Sequence, residues 1–150
     1  MRVVIQRVSF ASLAIDGKVF SEIGKGLMVL VGIENADTSE DADYLAKKIP
    51  ALRIFDDEHG VMNLSVTDIN GEIMVVSQFT LHAMTKKGNR PSYIKAAGHD
   101  ISKPLYEEVC QKLSAATGKT VKTGVFGADM KITLLNDGPV TILIDTKNKE

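Results

Sequence analysis

The sequence predicts one α/β domain over residues 1–150, with a mostly antiparallel or mixed sheet that closes like a barrel and carries two main helices. Three observations predict it. Segments with the pattern of β-strands outnumber the helical ones. Only two segments have apolar residues at helical spacing. The chain of 150 residues, 44% hydrophobic and 25% charged, has the length and composition of one globular domain.

The strands are predicted from apolar and β-branched runs. Residues 3–8 are rich in β-branched side chains and predict the first strand. Residues 12–15 and 18–20 flank Asp16-Gly17, a pair that favours a type I′ hairpin turn. Residues 27–33 are almost continuously apolar, which predicts a central strand buried on both faces. Further strands are predicted at residues 52–55, 73–76, 131–135 and 140–144.

Two helices are predicted from their caps and their spacing. The first has Asp37 as its N-cap, with Glu40 three residues later, and Pro50 ends or kinks it. Ser102 caps the second helix and Gly118 ends it. Apolar residues at helical spacing support both, namely Ala42, Leu45, Ala46 and Ile49 in the first and Leu105, Val109 and Leu113 in the second.

The composition argues against several functional classes. With a net charge of −1, any nucleic-acid contact must come from a local patch. The single cysteine, Cys110, allows no internal disulfide and suits a reducing compartment. The longest apolar run is far shorter than the roughly 20 residues of a membrane span, and the N-terminus has no signal-peptide pattern. We therefore expect a cytoplasmic protein with no membrane partner.

No motif in the chain predicts a metal or a cofactor. The three histidines, His59, His82 and His99, show no metal-ligand spacing. The acidic run at residues 56–58 has the composition of a cation site, but a solvated turn is the better interpretation. Gly24-Lys-Gly26 precedes a strand and is not a dinucleotide fingerprint, and no Walker sequence is present. We expect no metal site and no cofactor.

Two segments stand out by their chemistry. In residues 136–142, Pro139 falls between two predicted strands, so Gly138-Pro139 predicts a tight turn whose peptide bond is able to be cis. In residues 75–81, polar side chains end a buried strand, which is a common place to mount a site. Thr80 is either a nucleophile assisted by His82 on the same face of a strand, or a threonine placed there by β propensity. The residues alone leave both readings open.

A long polar connection, residues 84–100, is a candidate functional loop because of its length. It carries Lys86, Lys87, Arg90 and Lys95 together with Tyr93. Phosphate contact with base stacking and a merely solvated loop are equally supported by this composition.

The chain resembles the D-aminoacyl-tRNA deacylase family. Ser77-Gln-Phe-Thr-Leu81 and Asn136-Asp-Gly-Pro-Val-Thr141 are similar to the two signature motifs of that family. The likeness covers essentially the whole chain. It extends in order through residues 1–8, 26–32, 52–56, 62–63, 87–92 and 123–130.

The resemblance implies an enzyme that hydrolyses the ester between a D-amino acid and the 3′ end of tRNA, and also glycine mischarged on tRNA(Ala). It implies a homodimer with active sites at the subunit interface, and no DNA partner. Gly138-Pro139 would be a cis dipeptide that one subunit inserts into the pocket of the other. Main-chain carbonyls there would hold the α-ammonium group and leave no room for an L side chain.

The resemblance also assigns roles to individual residues. The ester would be lined by Ser77, Gln78, Phe79 and Thr80. The backbone N–H groups near Phe79 and Thr80 would hold the developing oxyanion, while the 2′-hydroxyl of the tRNA assists the attacking water. Arg7 would fix the Gly-Pro element. Phe126 and Met130 would wall the pocket, and Lys86, Lys87 and Arg90 would contact the tRNA.

The chain departs from the family pattern beside the site. His82 replaces an aromatic residue or alanine, and Met84 replaces an acidic residue. Gly98-His99 follows Ala96-Ala97 where the family often has proline. These differences bear on substrate preference. The alternative function is a noncatalytic RNA-end binding protein that uses the same pocket and the basic loop.

Overall fold

The structure, a computed structural model, describes residues 1–150 and contains eight strands and two helices. In chain order the elements are β1 (Arg2–Ile15), β2 (Lys18–Ile23), β3 (Gly26–Gly32), α1 (Ser39–Ala51), β4 (Phe55–Asp56), β5 (Met62–Leu64), β6 (Glu72–Ser77), α2 (His99–Thr117), β7 (Lys122–Thr123) and β8 (Met130–Asp145). A single 3₁₀ turn, Phe79–His82, follows β6 and is called the site turn below.

Six of the strands form a mixed sheet that is nearly closed into a barrel. The sheet has the order β2-β1-β3-β6-β7, and β8 pairs with β1. The β3–β6 and β6–β7 pairs are parallel, whereas β1 pairs antiparallel with β2, β3 and β8. The two ends of this order meet where the Ser21 hydroxyl of β2 donates to the Thr123 carbonyl of β7 at 2.8 Å. The predicted α/β domain with a barrel-like sheet and two helices is confirmed.

Apolar side chains fill both faces of the central strands. Leu27, Val29 and Val31 of β3 pack into the core beneath the helices, together with Ile73 and Val75 of β6. The alternate residues point into the barrel, where Met28 packs with Met74 and Val76. Strands buried on both faces are apolar at every position, so the predicted two-sided burial of residues 27–33 is confirmed. No helix combines the length and apolarity needed to cross a membrane.

The helix caps differ from those predicted. Thr38, not Asp37, is the N-cap of α1, and its N–H donates to the Asp41 carboxylate at 2.8 Å. The Asp37 carboxylate instead accepts from the Met1 ammonium group at 2.5 Å, which removes it from capping.

The second helix also begins earlier than predicted. Gly98 is the N-cap of α2, and the hydroxyl of Ser102, the predicted cap, donates back to the Gly98 carbonyl at 2.8 Å. At the other end the prediction is confirmed. Gly118 ends α2 in the left-handed conformation, with φ of 70°.

The first and last strands are longer than predicted. β1 runs without a break through both of its predicted segments. β8 continues through Gly138 and Pro139, so a tight turn between two strands is wrong. The strand tolerates these residues because its register with β1 shifts between Gln6 and Phe10. The peptide bond that precedes Pro139 is cis.

Candidate active site

The site turn leaves β6 next to the end of β3. The Gln78 N–H donates to the Val31 carbonyl at 2.7 Å and so fixes the start of the turn to β3. Within the turn the N–H of Leu81 donates to Gln78 at 3.2 Å. The first N–H groups of a helical turn have no partner inside the turn. Here the N–H groups of Phe79 and Thr80 have no hydrogen-bond partner. The turn therefore contains two neighbouring N–H donors without a hydrogen-bond partner.

A cavity of about 290 Å³ lies beside the start of this turn. Its walls come from the ends of β3 and β6, the region around the start of α2, and the loop before β8. The predicted site residues among its lining are Ser77, Gln78, Phe79, Phe126 and Met130. The structure thus brings five predicted residues together around one space.

The Thr80 hydroxyl is hydrogen-bonded to Gln78 and not to a base. The side-chain amide of Gln78 donates to the Thr80 hydroxyl at 2.5 Å. His82 is 1% exposed, and its ring packs next to Gly32 of β3. The strand that would place Thr80 and His82 on one face is a 3₁₀ turn, so that arrangement is wrong. The geometry favours a positioning role for Thr80 over a nucleophile with an adjacent base.

Phe126 is supported from two sides. Its ring meets His99 edge-on at 4.9 Å and lies 5.7 Å from Tyr106. The Tyr106 hydroxyl donates to the Val75 carbonyl at 2.8 Å, and burial raises the pKa of Tyr106 far above its usual range. A neutral, hydrogen-bonded tyrosine therefore backs this wall of the cavity.

Arg7 joins three parts of the chain next to Gly138. Its side chain donates to the backbone carbonyl of Asp137 at 2.9 Å and to that of Ile54 at 2.7 Å. A third contact reaches the Asp56 carboxylate at 3.3 Å. A Cβ on Gly138 would lie 2.6 Å from the Arg7 guanidinium, so the arginine packs directly against the glycine. Arg7, Gly138 and Pro139 are not among the residues that line the cavity.

The basic loop is closed at its base and attached to the site turn. Met84 and Ser92 exchange two backbone hydrogen bonds of 2.8 and 3.0 Å. The ring of Tyr93, the next residue, meets the ring of Phe79 edge-on at 5.1 Å. The remaining predicted residues of the loop are exposed and form no ion pair, namely Lys86, Lys87 and Arg90.

Sequence reasoning missed part of the cavity wall. Nine further residues line it: four are branched aliphatic residues of β3, β6 and β8 or next to them, and the others are small or polar, namely Val31, Ile33, Val76 and Ile132, then Ala97, Ser102, Gly127, Ala128 and Asp129. Asp129 is exposed and pairs with Lys131 at 2.8 Å. Small side chains have no chemistry that marks them as site residues. In the sequence, only similarity to a family indicates that the segment 123–130 belongs to the site.

Comparison with known proteins identifies that family. Residues 4–145 match the family described as D-Tyr-tRNA(Tyr) deacylase. A D-aminoacyl-tRNA deacylase of Bacteroides fragilis (strain YCH46) is 70% identical over 150 residues, which is 100% of both chains. The D-aminoacyl-tRNA deacylase of Flavobacterium psychrophilum is 63% identical over the same full length.

Two solved structures share the fold. The first, "c-Myc DNA Unwinding Element Binding Protein", has a TM-score of 0.90 and 38% identity, and the match covers 97% of this chain and 98% of that one. The second, "Structural Analysis of a probable eukaryotic D-amino acid tRNA deacylase", has a TM-score of 0.82, 18% identity and coverage of 95% and 97%. The family match and the full-length relatives confirm the resemblance seen in the sequence motifs: the chain belongs to the D-Tyr-tRNA(Tyr) deacylase family.

Proposed function

We propose that this protein is a D-aminoacyl-tRNA deacylase of the cytoplasm, which also removes glycine mischarged on tRNA(Ala). The observation that carries the proposal is the cavity of about 290 Å³, which is lined by Phe79 and lies next to two consecutive N–H groups without a hydrogen-bond partner, those of Phe79 and Thr80. Two adjacent N–H donors suit the oxyanion that forms when water attacks the carbonyl carbon of an ester. The names of the full-length relatives support the choice of ester.

The main chain is assigned the central part of the chemistry. The only acidic side chain in the cavity wall is Asp129, which is exposed and paired with Lys131. In the proposed mechanism, water attacks the carbonyl carbon of the ester with help from the 2′-hydroxyl of the tRNA, the bond from this carbon to the 3′ oxygen then breaks, and a proton from the water passes to the departing 3′ oxygen. The Phe79 and Thr80 N–H groups stabilise the oxyanion, each by about 3–4 kcal/mol. No metal or cofactor takes part in this proposal.

Chiral selection is assigned to a second copy of the chain. Gly138 and Pro139 are exposed on β8 and do not line the cavity of their own chain. The paired strands β8 and β1 expose large apolar side chains, since Leu143 is 74% exposed, Leu135 49% and Phe10 41%. Such a surface suits a homodimer in which Gly138-Pro139 of each subunit enters the cavity of the other. Carbonyls there would bind the α-ammonium group and exclude an L side chain.

The tRNA is assigned to the basic loop. Residues 83–98 contain four cations and no acid, although the whole chain has a net charge of −1. Lys86, Lys87 and Arg90 are exposed and free of ion pairs, so they are available to the phosphates of the acceptor end. Because Tyr93 contacts Phe79, this loop sits beside the cavity where the ester must lie.

A noncatalytic protein that binds the end of RNA is the rival function. One observation favours nucleic-acid binding: the structure at 38% identity is described as "c-Myc DNA Unwinding Element Binding Protein". Such a protein would shift the mobility of a charged tRNA without shortening the lifetime of its ester.

The deciding experiment measures the hydrolysis of D-tyrosyl-tRNA and L-tyrosyl-tRNA, with and without a chelator. The proposal expects loss of the D-ester alone, at a rate that the chelator leaves unchanged. If both esters stay intact while the tRNA is bound, the protein is a binder. If the chelator abolishes hydrolysis, the metal-independent mechanism is refuted.

Mixing two variants tests the shared site. Ala128→Trp fills the cavity, whereas Gly138→Ala places a methyl group against Arg7. Neither homodimer should hydrolyse the D-ester selectively. A mixed dimer has one site with an intact cavity and an intact Gly138, so remixing the two after denaturation should restore selective hydrolysis. A mixed sample as inactive as its parents would contradict the exchange of Gly138-Pro139 between subunits.

A further inference from the structure

Gly32, the last residue of β3, lies directly beneath the site turn. A Cβ built on Gly32 would be 2.9 Å from the Gln78 carbonyl oxygen, 2.9 Å from Leu81 Cβ and 3.1 Å from a ring carbon of His82. Two of these three neighbours are backbone or Cβ atoms, which are unable to rotate away. Any side chain at position 32 therefore requires the site turn to move.

Glycine is needed here for space and not for its backbone conformation. Gly32 is not among the residues with positive φ. Gly24, between β2 and β3, also has no positive φ, and a Cβ there would meet nothing within 4 Å. The chain thus offers two glycines without a positive φ: a methyl group on Gly32 would collide with the site turn, and one on Gly24 would meet nothing.

The ring of His82 occupies the remaining space next to Gly32. It is 1% exposed, and its Nε2 atom has no hydrogen-bond partner. Packing, and not a hydrogen bond from that nitrogen, fixes this side of the ring. The ring is therefore the one neighbour of Gly32 that a substitution is able to remove, whereas the Gln78 carbonyl oxygen and Leu81 Cβ would stay at 2.9 Å.

We propose that Gly32 is a positioning residue for ester hydrolysis: the site turn packs on Gly32, partly through the ring of its own last residue, His82, and this contact is called the seat below. The seat sets where the Phe79 and Thr80 N–H groups lie relative to the ester. The inference rests on the proposed deacylase function. Oxyanion donors act over a narrow range of distances, so a shift of a few tenths of an ångström in the turn is enough to weaken them.

The test compares Gly32→Ala with Gly24→Ala. We expect Gly32→Ala to lower kcat for D-tyrosyl-tRNA by about tenfold or more, while KM changes by less than about twofold. A constant KM is expected because the basic loop, which is assigned the tRNA contacts, lies outside the seat. Gly24→Ala should match the wild type in both constants. Urea unfolding of each variant is the control for whether a lower kcat comes from unfolded protein.

A double-mutant cycle tests the part played by the ring. In a His82→Ala background one of the three close contacts is gone, so adding Gly32→Ala should lower kcat by only about threefold. If the single variant Gly32→Ala does not fold, kcat is compared within the His82→Ala background alone, where an unchanged kcat on adding Gly32→Ala would refute the positioning role. An effect of the same size with and without the ring would remove His82 from the seat.

The outcomes separate this inference from the proposed function. If the wild type and Gly24→Ala both fail to hydrolyse D-tyrosyl-tRNA, the proposed function fails. If both are active and Gly32→Ala has a kcat within twofold of theirs, the positioning role of Gly32 is refuted. A rise in KM with an unchanged kcat would also refute it, because the seat would then act on binding.

Discussion

Replacing Arg7 by lysine should loosen the segment that carries Gly138 while it keeps the positive charge. The guanidinium of Arg7 is 7% exposed and donates to two backbone carbonyls, those of Asp137 and Ile54, at 2.9 and 2.7 Å. It also reaches the Asp56 carboxylate at 3.3 Å. The single ammonium group of a lysine is unable to occupy the positions of both guanidinium nitrogens.

The size of the effect follows from the bonds that are lost. A hydrogen bond from a charged donor contributes about 1.5–3 kcal/mol, and lysine must give up at least one of them. We therefore expect the free energy of unfolding to fall by about 2 kcal/mol. For a domain of this length, each kcal/mol lowers Tm by about 2–4 °C, so Tm should fall by about 4–8 °C.

Arg2→Lys is the matched control on the same strand. Arg2 is also paired with a carboxylate, that of Asp145 at 2.9 Å, and donates to the Leu81 carbonyl of the site turn at 3.3 Å, but its side chain is 44% exposed. An exposed pair of this kind contributes at most about 1 kcal/mol, and lysine is able to keep the pairing. Thermal and urea unfolding of both variants, followed by the ratio of D- to L-tyrosyl-tRNA hydrolysis, measures the difference.

The reasoning fails if the two variants unfold at the same temperature. It also fails in its functional part if Arg7→Lys keeps the wild-type ratio of D- to L-ester hydrolysis, because Arg7 would then not fix the segment that excludes L side chains. The expected result is a lower Tm and a lower ratio for Arg7→Lys, with Arg2→Lys close to the wild type in both.

Three further predictions concern the site, the tRNA surface and acid stability. Thr80→Ala removes the hydroxyl that accepts from Gln78 and should lower kcat by less than about tenfold; complete loss in a folded protein would revive a threonine nucleophile. Replacing Lys86, Lys87 and Arg90 together by alanine should raise KM and flatten its dependence on salt, and an unchanged salt slope would remove the loop from the tRNA surface. Partial burial acts to raise the pKa of Asp41, but hydrogen bonds led by that from Lys147 hold it well below its usual range. Stability from this carboxylate is therefore complete above about pH 4 and declines as the pH falls below it, and Asp41→Asn should make unfolding less dependent on pH in that range.

The strands that were predicted best are those whose pattern has a single physical explanation. Residues 27–33 are apolar at every position because β3 packs on the helices with one face and fills the barrel with the other. The end of α2 was equally clear, because Gly118 adopts a left-handed conformation that favours glycine. In both places one local requirement leaves few alternatives.

The cap of α1 shows where local pattern is insufficient. Asp37 and Thr38 are both good N-cap residues, and each has an acidic residue three positions later. The choice between them is made by the ammonium group of Met1, which binds the Asp37 carboxylate. A contact between residues 36 positions apart cannot be read from the spacing of a helix.

The site turn was missed for a related reason. After Ser77 polar and apolar residues alternate as they do in a strand, and the Gln78 N–H still bonds to Val31 of β3. From Phe79 onward the chain forms a 3₁₀ turn instead, so Thr80 and His82 do not share the face of a strand. The identity of the site residues came from their motif, whereas their geometry came from the packing of β6 on β3.

The pairing of β1 with β8 also governs when the protein is able to complete its fold. Arg2 lies opposite Asp145, and Ile15 lies opposite Met130. The first strand, β1, is therefore able to pair with β8 only after nearly the whole chain has been synthesised. Until then one edge of β1, including Val3 and Ile5, has no strand beside it. Contacts of such large sequence separation form slowly, and an unpaired apolar edge favours aggregation. During translation this edge of β1 therefore stays uncovered until β8 arrives.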